Sequence, residues 1–322
     1  RAELRRLFGW LKQRGLTAVI TAEQGRDEQL TRHGLEEYVS DCVIFLDHRV
    51  VNQIATRRLR IVKYRGTSHG TNEYPTLIDE AGLSVLPISS LDMNYDVSHD
   101  RVSTGVQALD GMLEGRGYFR GSSVLISGTA GTGKSSLGAA FVDGACRRGE
   151  RCLYLAFEEA PQQIIRNMSS IGFDLGSWVE SGQLVIHAVR STFYGLEQHL
   201  VAIHKRIEQL QPSILVMDPV TNLNAVGSGA EITAMLTRLI DYLKQKGITA
   251  LFTSLTEGGT EAEKTDVGIS SLMDTWLLVR QNETDRERQR SLHILKSRGM
   301  SHSSAVRNFR LNRQGIELEE QP

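Results

Sequence analysis

The chain has 322 residues, 40% of them apolar, with 37 basic residues set against 38 acidic ones. That length and apolar share suit one large domain or two smaller ones with buried cores. The near-zero net charge removes the global positive field that would recommend nucleic acid or an anionic membrane as the default partner. Three cysteines, Cys42, Cys146 and Cys152, are an odd number without metal-ligand spacing and read as reduced thiols of a cytoplasmic protein. No apolar run of about 18 residues and no charged-then-apolar leader is present, so no membrane is expected.

Arg1 opens the chain inside an amphipathic pattern (Leu4, Leu7, Phe8, Leu11), which reads as part of something longer. Two stretches of this first part recur further on. Leu59–His69, LRIVKYRGTSH, returns as Leu292–His302, LHILKSRGMSH, at an offset of 233 residues, and Leu11–Thr21, LKQRGLTAVIT, returns as Leu243–Thr253, LKQKGITALFT, at 232. Residues 1–91 are therefore expected to be the C-terminal third of a first module, 92–100 (DMNYDVSHD) a polar linker, and 101–322 a complete second module. The first module's counterpart of the glycine-rich loop described next would lie upstream of Arg1.

Within 101–322 the apolar run Val124–Ile126 reads as a buried strand that ends in the glycine-rich stretch Gly128, Thr129, Ala130, Gly131, Thr132, Gly133, followed by Lys134, Ser135 and Ser136 and a helix over Leu137–Arg147. The spacing G-x-x-x-x-G-K-S is that of a phosphate-binding loop. Its glycines let successive backbone N–H groups converge on phosphates, its lysine reaches the terminal ones, and Ser135 offers a ligand oxygen to Mg²⁺. Strands are then expected at Cys152–Phe157, Leu184–Ala188, Ile214–Met217 and Thr249–Thr253, and helices at Pro161–Ile171, Leu196–Leu210 and Ala230–Lys246. This alternation predicts an α/β fold with a mostly parallel sheet flanked by helices. The runs Thr275–Arg280, Ser291–Lys296 and Ala305–Leu311, which have no helices between them, predict an antiparallel C-terminal extension.

Asp218 closes the apolar strand ILVMD, the place of the second metal-side carboxylate in a phosphate-loop NTPase. Glu158 and Glu159 follow the strand Cys152–Phe157. Adjacent residues at a strand end point different ways, so one can face the γ-phosphate and draw a proton while the other supports it or nears the metal. Thr253 and Ser254 end the strand after Asp218 and offer hydroxyls to the same region. Lys296 and Arg298 alternate along one strand, followed by Gly299 and His302, and the first copy repeats the pair as Lys63 and Arg65. Two cations on one face read as reaching for phosphates of a neighbouring subunit. The plainer reading is a charged edge strand. The loop Ser254–Ser271 carries four acidic residues, Glu257, Glu261, Glu263 and Asp266, against Lys264, a sign that repels a nucleic-acid backbone.

The order of phosphate loop, FEE, strand-end Asp, K-x-R-G-x-S-H and tandem duplication resembles the KaiC family of RecA-like ATPases, whose founding members are bacterial circadian clock proteins. The likeness covers almost the whole chain. It implies a double-ring homohexamer with ATP and Mg²⁺ at subunit interfaces, slow ATP hydrolysis, serine autokinase activity, and clock or signalling partner proteins. The family's phosphoacceptor pair falls on Ser270 and Ser271, with a further hydroxyl at Thr265. Its catalytic glutamates fall on Glu158 and Glu159, and its contacts in trans on Arg290, Lys296, Ser297, Arg298 and His302. The adenine-stacking aromatic of clock members falls on Ile171, and the segment through which a partner activates the kinase would follow Pro322. A RecA/RadA-like nucleic-acid motor and an ATP-sensing scaffold without kinase activity are the alternatives, the first opposed by the charge balance.

Overall fold

The computed structural model describes residues 2–24, 36–51, 54–80, 82–86, 97–256, 269–283 and 288–319. Contacts divide the chain into one unit over Arg1–Ser89 and another over Ser90–Pro322. Thr265, the charges of the 257–268 loop and residues 92–96 of the expected linker lie outside the described residues.

The first unit contains α1 (Ala2–Gln13), α2 (Glu36–Val39) and a sheet of β1 (Cys42–Val51), β2 (Ile54–Tyr64), β3 (Glu73–Asp79) and β4 (Gly82–Val85), antiparallel and in chain order. The second opens with β5 (Arg101–Val102), α3 (Gln107–Met112) and β6 (Tyr118–Phe119). It continues through β7 (Ser123–Gly128), α4 (Lys134–Arg147), β8 (Cys152–Ala156), α5 (Pro161–Ser169), α6 (Leu175–Glu180), β9 (Leu184–Ala188), α7 (Leu196–Leu210), β10 (Ile214–Asp218), α8 (Gly229–Gln245) and β11 (Thr249–Leu255). The last four strands are β12 (Thr275–Glu283), β13 (Arg288–Ser297), β14 (Arg307–Asn312) and β15 (Gly315–Leu318).

Nine strands form the main sheet in the order β15-β14-β13-β12-β7-β11-β10-β8-β9. From β12 to β9 neighbours run parallel, and β13, β14 and β15 extend the sheet antiparallel, as the sequence predicts. The central strands β7 and β8 are buried along their whole length, which is why they read as continuous apolar runs rather than alternating ones. Helix α4 packs on the sheet and buries Leu137, Phe141, Val142 and Ala145, and the Phe141 ring meets Tyr118 edge to face at 5.5 Å. Helix α8 starts on a reciprocal cap: Glu231 N–H donates to Ser228 Oγ at 3.4 Å, and Ser228 N–H donates to the Glu231 carboxylate at 2.9 Å.

The internal repeat is visible in strand register. β1 and β2 pair Cys42 with Tyr64 and Val43 with Lys63, bulge between Val43 and Ile44, then pair Ile44 with Ile61. β12 and β13 pair Thr275 with Ser297 and Trp276 with Lys296, bulge between Trp276 and Leu277, then pair Leu277 with Ile294. The pairs Leu59–Tyr74 and Asp79–Gly82 return in the same way as Leu292–Arg307 and Asn312–Gly315. Every position is displaced by 233 residues, bulge included, so the duplication is one of backbone hydrogen bonding as well as of letters. The surroundings differ, however. Leu277 and Val279 are fully buried where β12 lies beside β7, whereas their counterparts Ile44 and Leu46 are 55% and 61% exposed. Among the described residues no strand pairs with the second edge of β1.

On the helical layer, His204 of α7 stacks on Tyr242 of α8 at 3.8 Å, its buried Nε2 without a hydrogen-bond partner among the described residues. Burial lowers its pKa to about 4, against the pull of Glu208 and with a further push from Lys246. His187 is likewise lowered to about 4 by burial and Arg206. A histidine kept neutral in the fold takes up its proton more readily when unfolded. Stability is therefore expected to be full above pH ~6.5, the unfolded value, and to drain away as pH falls toward 4. Urea midpoints should show His204→Phe, which keeps the stack, losing less between neutral and acidic pH than the natural chain; an equal loss would reject this account.

Candidate nucleotide-binding site

The loop from Gly128 to Gly133 joins β7 to α4, and its backbone is aimed by glycine. Gly133 is the N-cap residue of α4 in a left-handed conformation, φ 98°, and no side chain caps the helix there. The first N–H groups of a 14-residue helix are thus left to an anion, with the helix dipole behind them. Gly128 is held for closeness, because a Cβ there would lie 2.2 Å from the Val279 carbonyl oxygen. Thr132 Oγ1 donates to Thr129 O at 2.8 Å, and Ala130 and Gly131 form the exposed tip. Lys134 folds back so that Nζ donates to Gly128 O at 2.8 Å and Thr129 O at 2.7 Å. Burial lowers its pKa to about 8, with Asp218 and Glu158 pulling the other way. Ser135 is half-buried and Ser136 buried at the helix start.

Asp218 sits at the end of β10 with its carboxylate tied on both oxygens. Tyr154 OH donates to one at 2.5 Å and Thr253 Oγ1 to the other. Tyr154 was not singled out in the sequence. Its signal was parity: Ala156 pairs with Asp218 across β8 and β10, and Tyr154, two residues back, shares Ala156's face. The phenol is driven upward in pKa by burial and the Asp218 charge, and Ser135 hydrogen-bonds to it as well. Ser135, Tyr154 and Asp218 therefore form one polar patch at the foot of the loop. A hydroxyl and a fixed carboxylate beside a phosphate loop match the hard, oxygen-rich surroundings Mg²⁺ requires, which is the sense in which these residues fit that ion.

Glu158 and Glu159 are both exposed just past β8. Their surroundings separate them: the Glu158 charge bears on Lys134, while Glu159 accepts a hydrogen bond from Asn167 Nδ2 at 3.0 Å. Thr253 is committed to Asp218, and Ser254 Oγ donates to Leu255 O at 3.3 Å. Thr256, which the sequence reading passed over, places its N–H on Gly128 O at 3.2 Å and keeps a buried hydroxyl without a partner among the described residues. Ile171 is half-buried against the core rather than presented as a platform.

The cations assigned together by resemblance are separated along β13. Arg290 pairs with Gln281 and donates from Nε to Gly131 O of its own loop at 3.2 Å. Lys296, six residues further along β13, pairs with Trp276 near the start of β12, beside the start of β7. At about 3.3 Å per residue this is roughly 15 Å or more from the loop at the far end of β7. Arg298 is not on the strand with Lys296, as its spacing suggested, because β13 ends at Ser297 and Gly299, φ 74°, turns the chain. Both cations nonetheless converge on one turn: Lys296 Nζ donates to Ser270 O at 2.7 Å and Arg298 Nη2 to Ser271 O at 2.8 Å. Burial, and then Arg298, lower the Lys296 pKa. Ser297 is buried and hydrogen-bonded to Thr275 at 2.9 Å, and His302 is half-buried with Nδ1 unpartnered among the described residues. Lys63 and Arg65 lie at the matching place of the first unit, on Tyr38 O at 3.4 and 2.9 Å. Cys146 and Cys152 are buried free thiols with sulfurs 3.7 Å apart.

A parallel sheet whose β7 runs into a phosphate loop, with a carboxylate at the end of β10 and an antiparallel extension, defines a RecA-like phosphate-loop NTPase. The family model for the KaiC ATPase matches residues 1–90 and 102–322. The chain belongs to the KaiC family. It is 55% identical over 322 residues to circadian clock protein KaiC2 of Synechocystis sp., an alignment covering 99% of this chain and 56% of that protein. It is 34% identical to KaiC3 of the same organism, over 99% of this chain and 63% of the relative. To the circadian clock oscillator protein KaiC of Synechococcus elongatus it is 35% identical, over 99% and 62%. The chain thus spans less than two thirds of the length of these relatives. Among the described residues no helix is long and apolar enough to cross a membrane.

Proposed function

We propose that this chain is the ATP-hydrolysing and self-phosphorylating part of a cytoplasmic KaiC-type timing or signalling protein. In this reading residues 1–91 close a first ATPase module, 92–100 link it, and 101–322 form a second. The module works as a homohexamer in which ATP lies between subunits and clock partner proteins read the result. The observation that carries the reading is the placement of Ser270 and Ser271 at the far end of β7 from their own phosphate loop, beside Lys296 and Arg298. A chain so built cannot bring its own ATP to its own serines, but a neighbour's ATP can meet them.

The loop amides and Lys134 grip the phosphates, while Ser135 and Asp218 hold Mg²⁺. When bound, Mg²⁺ neutralises charge on the phosphate oxygens. Arg290 braces the loop tip from its own chain. Glu158 takes the proton of the attacking group, which is either water or the neighbour's serine. For transfer, the hydroxyl oxygen of Ser270 or Ser271 bonds to the γ-phosphorus as the bond from that phosphorus to the bridging oxygen breaks and ADP leaves. Lys296 and Arg298 stabilise the charge that builds on the γ-phosphoryl oxygens.

The test is complementation in trans with Mg²⁺-ATP. A Lys134→Ala chain, unable to use ATP, is mixed with a Ser270→Ala/Ser271→Ala chain, unable to accept. Phosphopeptide mapping should find label on Ser270 or Ser271 of the first. Label elsewhere, or none, removes the kinase half, and label that never crosses between chains removes the shared site.

ATP affinity should also depend on pH through Lys134. With the free-chain pKa lowered to about 8, the ammonium is lost above that pH and must be regained to hold phosphate. Binding should therefore take up a proton near pH ~8.5 and weaken by up to about tenfold per pH unit above it. Calorimetry in two buffers of different ionisation heat reads that proton directly; zero uptake would show that Lys134 stays charged throughout.

A further inference from the structure

Lys296 and Arg298 do more in this fold than face outward. Each donates to a main-chain carbonyl of the turn Ile269–Ser271, on Ser270 and Ser271 respectively. The same turn is closed by Leu272 N–H on Ile269 O at 2.9 Å, and Arg298 N–H donates to Asp274 O at 2.8 Å. Asp274 in turn accepts from Ser123 N–H at 2.9 Å and pairs with Lys244 at 2.8 Å. Turn, cations and the start of β7 are thereby one connected piece.

The first unit repeats this construction without a serine to present. Arg65 and Lys63 hold Tyr38 O, Arg65 N–H donates to Asp41 O at 2.8 Å, and Asp41 pairs with Lys12 at 3.3 Å. The residues at the places of Ser270 and Ser271 are there Glu37 and Tyr38. The hold on a main-chain carbonyl is thus kept where no serine stands as acceptor, so it is a property of the construction itself.

We infer that Lys296 and Arg298 are positioning residues of their own chain, clamping the 269–274 turn by its carbonyls so that the Ser270 and Ser271 side chains are presented in a fixed direction. The clamp takes hold of carbonyls and leaves the hydroxyls free: neither serine hydroxyl makes a hydrogen bond among the described residues, Ser270 being half-buried and Ser271 exposed. It also leaves donors over. An ammonium has three N–H groups and a guanidinium five, so one hydrogen bond in cis still permits contact with a neighbour's phosphate. Acceptor and cations then approach that phosphate as a single preorganised element. This deepens the proposed function and rests on it for the identity of the acceptors, but the clamp can be measured without phosphoryl transfer.

The experiment is hydrogen exchange on the full chain with no nucleotide present, comparing the natural sequence with Lys296→Met and Arg298→Met, which keep an apolar stem. The Leu272 amide and the 269–274 peptide should exchange at least about tenfold faster in both variants, and Arg298→Lys should restore part of the protection. With Mg²⁺-ATP added, the ratio of label on Ser270 to Ser271 should shift in the Met variants. Unchanged exchange in both Met variants overturns the clamp and leaves the cations a phosphate role only. A natural chain that never labels these serines overturns the kinase reading, while the exchange result still decides the clamp. If a Met variant loses protection in β7 and β11 as well, Arg298→Gln is read in its place by the same criterion.

Discussion

Glu158→Gln is expected to lower ATP turnover by roughly 10²- to 10⁴-fold, the span a positioned general base contributes, with ATP affinity held within a few-fold. The two neighbouring carboxylates are alike in sequence and exposure, and their surroundings decide between them. Glu158 is free of side-chain hydrogen bonds among the described residues, and its charge reaches Lys134, the group proposed to grip phosphate. Glu159 is turned to α5 and held by Asn167. Removing a charge next to Lys134 makes that lysine easier to deprotonate, so the loss should deepen slightly as pH rises. Glu159→Gln keeps a side chain that Asn167 can still bond and should cost less than about tenfold, the cost of loosened support rather than of a lost proton acceptor. Phosphate release and serine labelling should fall together in Glu158→Gln if one base serves both nucleophiles. If Glu159→Gln carries the loss instead, the assignment of roles is reversed; if the double variant turns over normally, the base is elsewhere.

What the sequence disclosed and what it hid divide along local and non-local information. The phosphate loop was legible because its chemistry fixes residue type at each of several consecutive positions. The β7, β8, β10 and β11 runs were legible because burial on both faces removes polar residues from them. The short elements escaped. α6 has six residues with Gly176 inside, and only its cap, Asp174 accepting from Ser177 N–H, marks the start. α3, β5 and β6 are as short, and β15 is a four-residue edge. In the site, Asp218 could be placed from its own strand, but its partner Tyr154 lies on β8, 64 positions earlier. Arg290 is 159 positions from the Gly131 carbonyl it meets, a meeting fixed by the order β13-β12-β7, which the sequence does not state. Lys296 and Arg298 meet one turn by a geometry other than the one their spacing suggested. Alternation on one strand fails once β13 ends at Ser297, and convergence on neighbouring carbonyls takes its place.

Gly105→Ala should destabilise the second unit by roughly 3 kcal/mol or more, combining the cost of a left-handed backbone at a non-glycine residue with that of overpacking, although the position is exposed. Gly105 has φ +82°, and a Cβ there would sit 2.0 Å from Ala140 O and 2.6 Å from Ala140 C. Those atoms belong to the middle of α4 and cannot swing aside as the end of a side chain would. The loop must therefore lift, and it is tied down on its other side: Thr104 N–H and Ser103 Oγ both donate to Asp110, at 2.7 and 2.5 Å. Lifting it strains that turn and withdraws buried Val106 and Leu109 from the core beneath. Gly149→Ala is the control, since its φ of +81° carries the same backbone penalty but nothing lies within 4 Å of the new methyl. It should cost only about 1 kcal/mol. Urea unfolding followed by helix circular dichroism reports the second unit, where most of the helix lies, and the difference in midpoint between the two variants isolates the steric part from the torsional one. Because the helix that Gly105 supports is the one whose first turn is proposed to receive phosphate, ATP should raise the midpoint of Gly105→Ala by less than it raises that of Gly149→Ala. Equal midpoints would mean that α4 yields where the packing says it cannot.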